Sequence, residues 1–423
     1  MAVFEENTLG VIFLIFSCSL LSYWEHKKEG SLFSPFNFLV WPYIIVVTIV
    51  NLFARYFGYF SISNESILFV IGCMVSFFWG GRIVAFFKQD KNQCFENETD
   101  FHFFDFYRPV FVFAGIVSIA ASLIGFVSAI NQVGWFFIGS SEFEDLYGKG
   151  LLAHISVLNR PAFIFLFADY FRTRKKYLIP ILGLMFLSIL VLQIKNHIIT
   201  ILLAAFLFSI QLNLIKINFK KLFGYSLSIY LIFNISYVIG FSRIGFANAY
   251  SLKVQLYLFN LFFAYVFGGP IAFSEIFSNP AYPLETYKEM FAVITNLLNT
   301  FQGNDSVVNV IIHKWVPISN LYRYFHTSNV FGLFGMVYIY IGAHGTLIYM
   351  FLLGIIHYSI FYLSCKTNAF VGWRLVNSFL LSFLTISFFG LFYNILLVYE
   401  ASIFMICLPL LYELFNKLNR RIR

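Results

Sequence analysis

Long uncharged apolar segments follow one another along almost the whole chain of 423 residues, and they limit what it can fold into. Many run for about 17 to 25 residues, the length of a helix that crosses a hydrocarbon core of about 30 Å. Such segments must be helical because lipid cannot satisfy free backbone groups. Only 11% of the residues are charged, against about 25% in soluble domains. The sequence therefore predicts an all-α polytopic integral membrane protein, with residues 1–423 forming a single transmembrane domain.

Eleven spans are predicted from these segments. They lie at residues 8–23, 34–54, 66–87, 109–131, 151–171, 177–193, 197–214, 222–241, 343–364, 374–398 and 400–416. Lys and Arg concentrate in alternate loops and after the last span, and such loops usually face the cytoplasm. We therefore expect the N-terminus outside and the C-terminus inside. The net charge of +8 then reflects topology, and no nucleic-acid partner is expected.

The apolar rhythm breaks between residues 242 and 342, where polar residues and scattered cations interrupt shorter apolar runs. We expect this stretch to be a large periplasmic loop region with interfacial or re-entrant helices. The sequence Gly268-Gly269-Pro270 interrupts the apolar run at 254–274, which favours a surface position for that run. In the alternative, 254–274 and 329–342 both cross the membrane, and the number of spans rises to thirteen.

Two cations lie within or between predicted spans, where an ionisable residue suggests function by default. Arg160 is too close to Arg172, the first residue of a basic cluster, for a span to begin at it. It therefore belongs to the outer half of the fifth span, and Pro161 predicts a local backbone break. Lys195 lies in the predicted turn between spans six and seven. We predict that both bind substrate, although a headgroup contact and a simple loop cation are the alternatives.

Three further candidates lie in the irregular region. Arg243 follows the eighth span and Arg323 precedes the return to the membrane. Arginines on the outer side run against the positive-inside bias, and guanidinium groups match phosphate oxygens in a bidentate manner. His326 is the first candidate for a general base, with Glu275 and Glu400 behind it. We predict catalytic roles for Arg243, Arg323 and His326, and substrate contacts for the two arginines.

Motifs of soluble enzymes are absent from the sequence. It contains no phosphate-binding Walker loop, no HExxH zinc motif and no GxSxG nucleophile motif. The five cysteines show no metal-ligand spacing. We therefore expect no cofactor and no metal, and any reaction outside the cytoplasm must use a substrate that is already activated.

Two stretches carry a resemblance to a known family. One is Tyr265-Val266-Phe267-Gly268-Gly269-Pro270-Ile271-Ala272-Phe273, and the other runs from Asn329 to Gly345. With the layout of about eleven spans and one large outer loop, they resemble the oligosaccharide repeat-unit polymerases, the Wzy-type O-antigen polymerases. Tyr340 and Gly332 stand where that family commonly has Asp and Thr. The resemblance adds Tyr265 to the expected substrate-binding residues and implies an architecture like that of GT-C glycosyltransferases.

The resemblance also implies a reaction. A metal-independent membrane glycosyltransferase would move a growing glycan from undecaprenyl diphosphate to the non-reducing end of another lipid-linked repeat unit. The active site would face the periplasm from the bacterial inner membrane, among membrane lipids, and a chain-length regulator would be a partner. The alternatives are an O-antigen ligase and a lipid-linked oligosaccharide flippase or other transporter, which share size and apolar character.

Separate Arg243→Ala and Arg323→Ala substitutions test these roles. If the two guanidinium groups bind the diphosphate, each variant should lose long-chain polysaccharide while the protein level stays unchanged. Gel electrophoresis of surface polysaccharide measures the chain lengths, and a normal ladder from both variants would rule the roles out.

Overall fold

The computed structural model describes the chain apart from residues 1–2, 88–100, 139, 192–194, 217–223, 225–229, 232, 236, 239–249, 280–286, 305, 309–313, 321–326, 367–369 and 423. The described residues are mainly helical. The helices are α1 (Val3–Glu29), α2 (Pro35–Leu52), α3 (Asn64–Phe86), α4 (His102–Val133), α5 (Ser141–Tyr147), α6 (Gly150–Ser156), α7 (Asn159–Thr173), α8 (Leu178–Leu190), α9 (Lys195–Gln211), α10 (Leu252–Ser278), α11 (Tyr287–Met290), α12 (Ala292–Phe301), α13 (Gly332–Cys365), α14 (Val371–Thr385) and α15 (Leu396–Ile422). Two short antiparallel strands, β1 (Val316–Pro317) and β2 (Thr327–Ser328), pair with each other.

Eight helical segments within the described residues are long and apolar enough to cross a membrane. They are Thr8–Glu29, Pro35–Leu52, Asn64–Phe86, His102–Val133, Gly150–Thr173, Leu252–Ser278, Gly332–Cys365 and Leu396–Arg420. This is the architecture of an all-α polytopic membrane protein, as the sequence predicts. Most of the span predicted at 222–241 lies outside the described residues, and the total number of spans stays a prediction.

The expected break at Gly268-Gly269-Pro270 is wrong, because α10 continues through it as one helix of 27 residues. The glycines serve close packing instead. A Cβ on Gly269 would collide with the backbone oxygen of Phe388, and one on Gly268 would lie 2.9 Å from Oγ of Ser328. Proline is tolerated in such helices where neighbouring groups satisfy the freed carbonyl. The length of α10 favours the alternative in which residues 254–274 cross the membrane.

A second difference concerns the span predicted at 374–398. Helix α14 ends at Thr385, and the chain continues without regular helix to Ile395 before α15 begins. The last helix therefore starts four residues before the predicted boundary at 400. Irregular backbone at membrane depth is tolerated where protein surrounds it, and Phe388 in this segment lies against Gly269 of α10.

The chain divides into two compact units, each built from separate stretches of sequence. Unit 1 contains residues 1–94, 259–362 and 383–396, and unit 2 contains residues 95–258, 363–382 and 397–423. In unit 1, α3 and α13 approach closely at two glycines. A Cβ on Gly80 would collide with the oxygen of Phe351, and one on Gly354 with the oxygen of Phe77. Small residues allow such contacts between membrane helices.

Unit 1 also holds a buried ionic network. Nη2 of Arg82 lies 2.6 Å from Oε2 of Glu25 and 3.2 Å from Oε1 of Glu29. The hydroxyl of Tyr358 donates to Glu25, and that of Tyr362 donates to Oε1 of Glu29 at 2.7 Å. The side chain of Glu25 is fully buried, so these contacts replace the water that the carboxylate loses on folding.

Unit 2 has a comparable network between α4 and α7. Arg108 donates two hydrogen bonds to the buried carboxylate of Asp169, from Nε at 2.5 Å and from Nη2 at 2.9 Å. Asp105 bridges Arg108 at 2.8 Å and Arg172 at 2.9 Å. Bidentate ion pairs of this kind are among the strongest side-chain interactions. This pair fixes the C-terminal end of α7 to α4.

Removing one member of this network should be far worse than removing a matched pair. We expect Arg108→Met to lower the free energy of unfolding by about 3–5 kcal/mol, since it leaves the buried Asp169 carboxylate with only the longer 3.5 Å contact to Arg172. The double variant Arg108→Met/Asp169→Leu should recover most of this loss. Thermal unfolding of the purified proteins in detergent measures both. Equal loss in the single and double variants would contradict the role of the ion pair.

Candidate functional site

The helix that carries Arg160 is irregular just before this residue. Helix α6 ends at Ser156, and α7 begins at Asn159 after the two turn residues Val157 and Leu158. These two residues keep right-handed helical backbone angles, so α6 and α7 form one apolar helical segment, Gly150–Thr173. Pro161 lies in the first turn of α7, where its missing N–H costs no helical hydrogen bond. The expected backbone irregularity is therefore a local tightening of the helix next to Arg160.

The N-terminus of α9 lies beside that of α7. His197, in the first turn of α9, is close enough to Arg160 to feel its charge. Further along both helices, the rings of Phe167 and Phe206 are 5.2 Å apart between centroids, so α7 and α9 run in the same direction. Helix α9 contributes about half a positive charge at its N-terminus. This helix end and the guanidinium of Arg160 together form a positive region.

This region lies below the outer membrane surface on the predicted topology. Helix α8 has 13 residues and α9 has 17, which correspond to about 20 Å and 25 Å at 1.5 Å per residue. The N-terminus of α8 and the C-terminus of α9 each adjoin a basic cluster, and both clusters are predicted to face the cytoplasm. A hydrocarbon core of about 30 Å therefore extends beyond the tip of the hairpin. Residues Lys195 and Asn196, predicted to be in a turn, instead belong to the first turn of α9.

Arg160 is buried, and it has no hydrogen-bond or ion-pair partner among the described residues. Its relative exposure is 5%, and its guanidinium makes no hydrogen bond or ion pair with the residues that the structure describes. Among the described residues, Tyr147 and Glu400 are near enough to stabilise its charge electrostatically. A buried charge without a partner is strongly unfavourable, unlike the paired arginines Arg82 and Arg108. The arrangement is that of a candidate anion-binding site.

Tyr147 does not neutralise Arg160. Burial raises the pKa of the Tyr147 hydroxyl, against the opposing effects of a hydrogen bond with Ser122 and of the Arg160 charge. The phenol therefore stays neutral, and it donates to the backbone oxygen of Ser188 at 3.2 Å. Nδ2 of Asn159 donates to Oγ of the same serine at 2.6 Å. These contacts join the ends of α5 and α8 to the start of α7.

Glu400 is already engaged by a histidine. Its Oε1 lies 2.6 Å from Nδ1 of His154, and the two side chains are 22% and 51% exposed, respectively. His154 belongs to α6 and Glu400 to the first turns of α15. The carboxylate therefore compensates Arg160 only in part.

Several buried polar atoms around the starts of α7 and α9 have no hydrogen-bond partner within the described part of the chain. They are Oδ1 of Asn159, Oδ1 of Asn196 and Nδ1 of His197. Buried polar groups are normally paired with protein or water, so these atoms are free for a bound molecule. Tyr147, His154, Arg160, His197 and Glu400 are called the Arg160 site below. No group of three or more His, Cys, Asp or Glu side chains that could hold a metal occurs in the part of the chain that the structure describes.

The other predicted site residues are placed as follows. Lys195 is the first residue of α9, near His197 in the chain, and its side chain lies outside what is described. Tyr265 belongs to α10 in unit 1 and stacks on Phe389, with ring centroids 5.7 Å apart. Arg243, Arg323 and His326 lie outside the described residues. Their predicted roles stay predictions.

Sequence reasoning missed Tyr147, His154 and His197, and it ranked Glu400 low. The only local signal for His154 is its position six residues before Arg160 on the same apolar segment. Nothing in the sequence links it to Glu400, which is 246 residues away. This pair is visible only once α6 and α15 are in contact.

The unpaired charge predicts an unusual effect on stability. Without an added anion, Arg160→Met should raise the free energy of unfolding by at least about 1 kcal/mol, because an apolar side chain removes the uncompensated charge. Arg82→Met should lower it, since Glu25 then loses its ion pair. Thermal unfolding in phosphate-free buffer compares the two. Destabilisation by Arg160→Met would show that the guanidinium has a partner in the folded protein.

Comparison with known proteins identifies a family but no named relative. No curated protein and no solved structure is significantly similar to the chain. The sequence pattern described as "Family of unknown function (DUF6337)" matches residues 56–421. This range contains every residue of the Arg160 site and well over half of the chain. The chain therefore belongs to the DUF6337 family.

Proposed function

We propose that the protein is a membrane glycosyltransferase that polymerises lipid-linked repeat units, and that the Arg160 site binds the diphosphate of the donor. The observation that carries this proposal is the buried guanidinium of Arg160, which has no hydrogen-bond or ion-pair partner among the described residues and lies near the N-terminus of α9. Helix N-termini and guanidinium groups both favour phosphate oxygens. A diphosphate would supply the negative charge that the protein itself does not.

The depth of the site supports a lipid-borne anion over a soluble one. On the predicted topology, Arg160 lies about 20 Å from the cytoplasmic boundary, since about 13 helical residues separate it from the basic cluster after α7. A phosphate attached to an undecaprenyl chain is delivered at the membrane by that chain. A free nucleotide has no such route, and no nucleotide-binding loop occurs in the sequence.

The same contacts would aid the chemistry. In the proposed reaction a hydroxyl of the acceptor sugar attacks the anomeric carbon of the donor, and undecaprenyl diphosphate leaves. Negative charge grows on the leaving oxygen as the bond breaks. A preorganised cation in a water-poor site stabilises that charge more strongly than water does. The choice of a polymerase over other enzymes of lipid-linked sugars rests on the resemblance of residues 265–273 and 329–345.

A flippase for the same lipid-linked oligosaccharide is the second candidate. The short helix α9 favours it, because on the predicted topology this helix begins inside the membrane, and transporters often bind anions at the N-termini of discontinuous helices near the membrane centre. An O-antigen ligase shares the resemblance, but no contact in the structure favours it over a polymerase. Both alternatives keep the diphosphate as the ligand of Arg160.

Deletion of the gene separates the three functions. Loss of a polymerase should leave surface glycolipid that carries a single repeat unit, whereas loss of a flippase or a ligase should leave none. A polysaccharide gel distinguishes these results. Complete absence of repeat units would overturn the polymerase assignment.

Substitution of Arg160 then tests the site. Arg160→Gln should reduce polymer formation by roughly two to three orders of magnitude, the usual effect of removing one charge-stabilising donor, and should abolish binding of undecaprenyl diphosphate. Arg174→Gln is the matched control, because it removes an exposed cation from the opposite end of α7. Normal binding by Arg160→Gln would show that the diphosphate binds elsewhere.

A further inference from the structure

The contact between His154 and Glu400 has the geometry of a carboxylate–imidazole dyad. Nδ1 of His154 lies 2.6 Å from Oε1 of Glu400. An ionised carboxylate only accepts hydrogen bonds, so the proton of the neutral imidazole belongs on Nδ1. The lone pair then resides on Nε2. A histidine held in this tautomer is ready to take a proton from a hydroxyl.

The two side chains of the dyad differ in their exposure, and this difference indicates different roles. His154 is 51% exposed, whereas Glu400 is 22% exposed. A substrate can therefore reach the imidazole, while the protein shelters most of the carboxylate. This is the arrangement that a base and its orienting group need, since the first must touch the substrate and the second must hold the first.

Glu400 connects the dyad to the anion site. It contacts His154 directly and is near enough to Arg160 to act on it electrostatically. His154 and Arg160 are six residues apart, on either side of the two-residue link between α6 and α7. Six helical residues correspond to about 9 Å along an axis, so the imidazole and the guanidinium belong to neighbouring positions of one helical segment.

Two other described histidines, His357 and His197, lack one of these features. His357 in unit 1 is 2% exposed and contacts the hydroxyl of Tyr393 at 2.8 Å, so it has no carboxylate in that contact. His197 lies near Arg160, but its Nδ1 is buried and unpartnered. Neither combines an orienting carboxylate with an accessible ring.

We propose that His154, oriented by Glu400, is the general base of the transfer; this inference rests on the proposed glycosyltransferase function. Nε2 of His154 accepts the proton of the acceptor hydroxyl as its oxygen forms a bond to the anomeric carbon. The bond between that carbon and the diphosphate oxygen breaks, and its electron pair leaves with undecaprenyl diphosphate at Arg160. His154 is the catalytic residue, and Glu400 is a positioning residue.

The experiment uses the purified full-length protein in lipid nanodiscs. The substrate is the lipid-linked repeat unit extracted from cells that lack the gene, and undecaprenyl diphosphate is the binding probe. The variants are His154→Gln, Glu400→Gln and Glu400→Asp. His344→Gln is the matched control, because it removes an exposed histidine from α13 in the other unit.

His154→Gln should lower kcat by about 100-fold or more, the usual contribution of a general base, while KM and the binding of undecaprenyl diphosphate stay close to those of the wild type. Glu400→Gln should lower kcat to a similar degree, because an amide can donate to Nδ1 and favour the wrong tautomer. Glu400→Asp should recover part of the activity. His344→Gln should behave like the wild type.

Three results would count against these assignments. Wild-type kcat in His154→Gln, with an active wild-type protein, overturns the dyad alone and leaves the proposed function standing. Loss of diphosphate binding in His154→Gln and Glu400→Gln shows a structural role instead of a catalytic one. No polymer from the wild-type protein overturns the proposed function, and the dyad's role falls with it.

Discussion

Hydrocarbon offers no counter-ion, so every charge that this protein buries must find its partner within the protein or in a bound molecule. Two networks meet this constraint internally, around Arg82 with Glu25 in unit 1 and around Arg108 with Asp169 in unit 2. They fix helices to one another at the positions where charges would otherwise prevent packing. Arg160 is the exception among these buried arginines, and that contrast is why its site stands out from structural ion pairs.

Counting residues along the sequence was enough to predict part of this arrangement. The distance from Arg160 to the basic cluster at Arg172 is too short for a span, which placed Arg160 inside a helix with a break nearby. The irregularity lies before Arg160, at the turn residues 157–158, which keep helical backbone angles. The proline that suggested it occupies the first turn of α7, because a helix start is where proline is tolerated best.

Other features depend on contacts between distant segments and were beyond sequence reasoning. Gly268 and Gly269 suggested a break in α10, yet they are needed for the approach of Ser328 and Phe388. The role proposed for His154 depends on its contact with Glu400, which is 246 residues away in the sequence. The predicted roles of Arg243, Arg323 and His326 rest on charge and position alone, whereas the Arg160 site is supported by geometry within one compact unit.

The short hairpin of α8 and α9 has a consequence for energetics across the membrane. If its tip lies about 20 Å from the cytoplasmic boundary of a core of about 30 Å, an anion that arrives from outside must cross roughly a third of the transmembrane electric field. Each elementary charge that crosses the whole field is worth about 2.3 kcal/mol per 100 mV. Two negative charges would then meet about 1.5 kcal/mol of opposition at 100 mV, cytoplasm negative, which is roughly a tenfold change in affinity. Occupancy of the Arg160 site would thus rise when the membrane is depolarised.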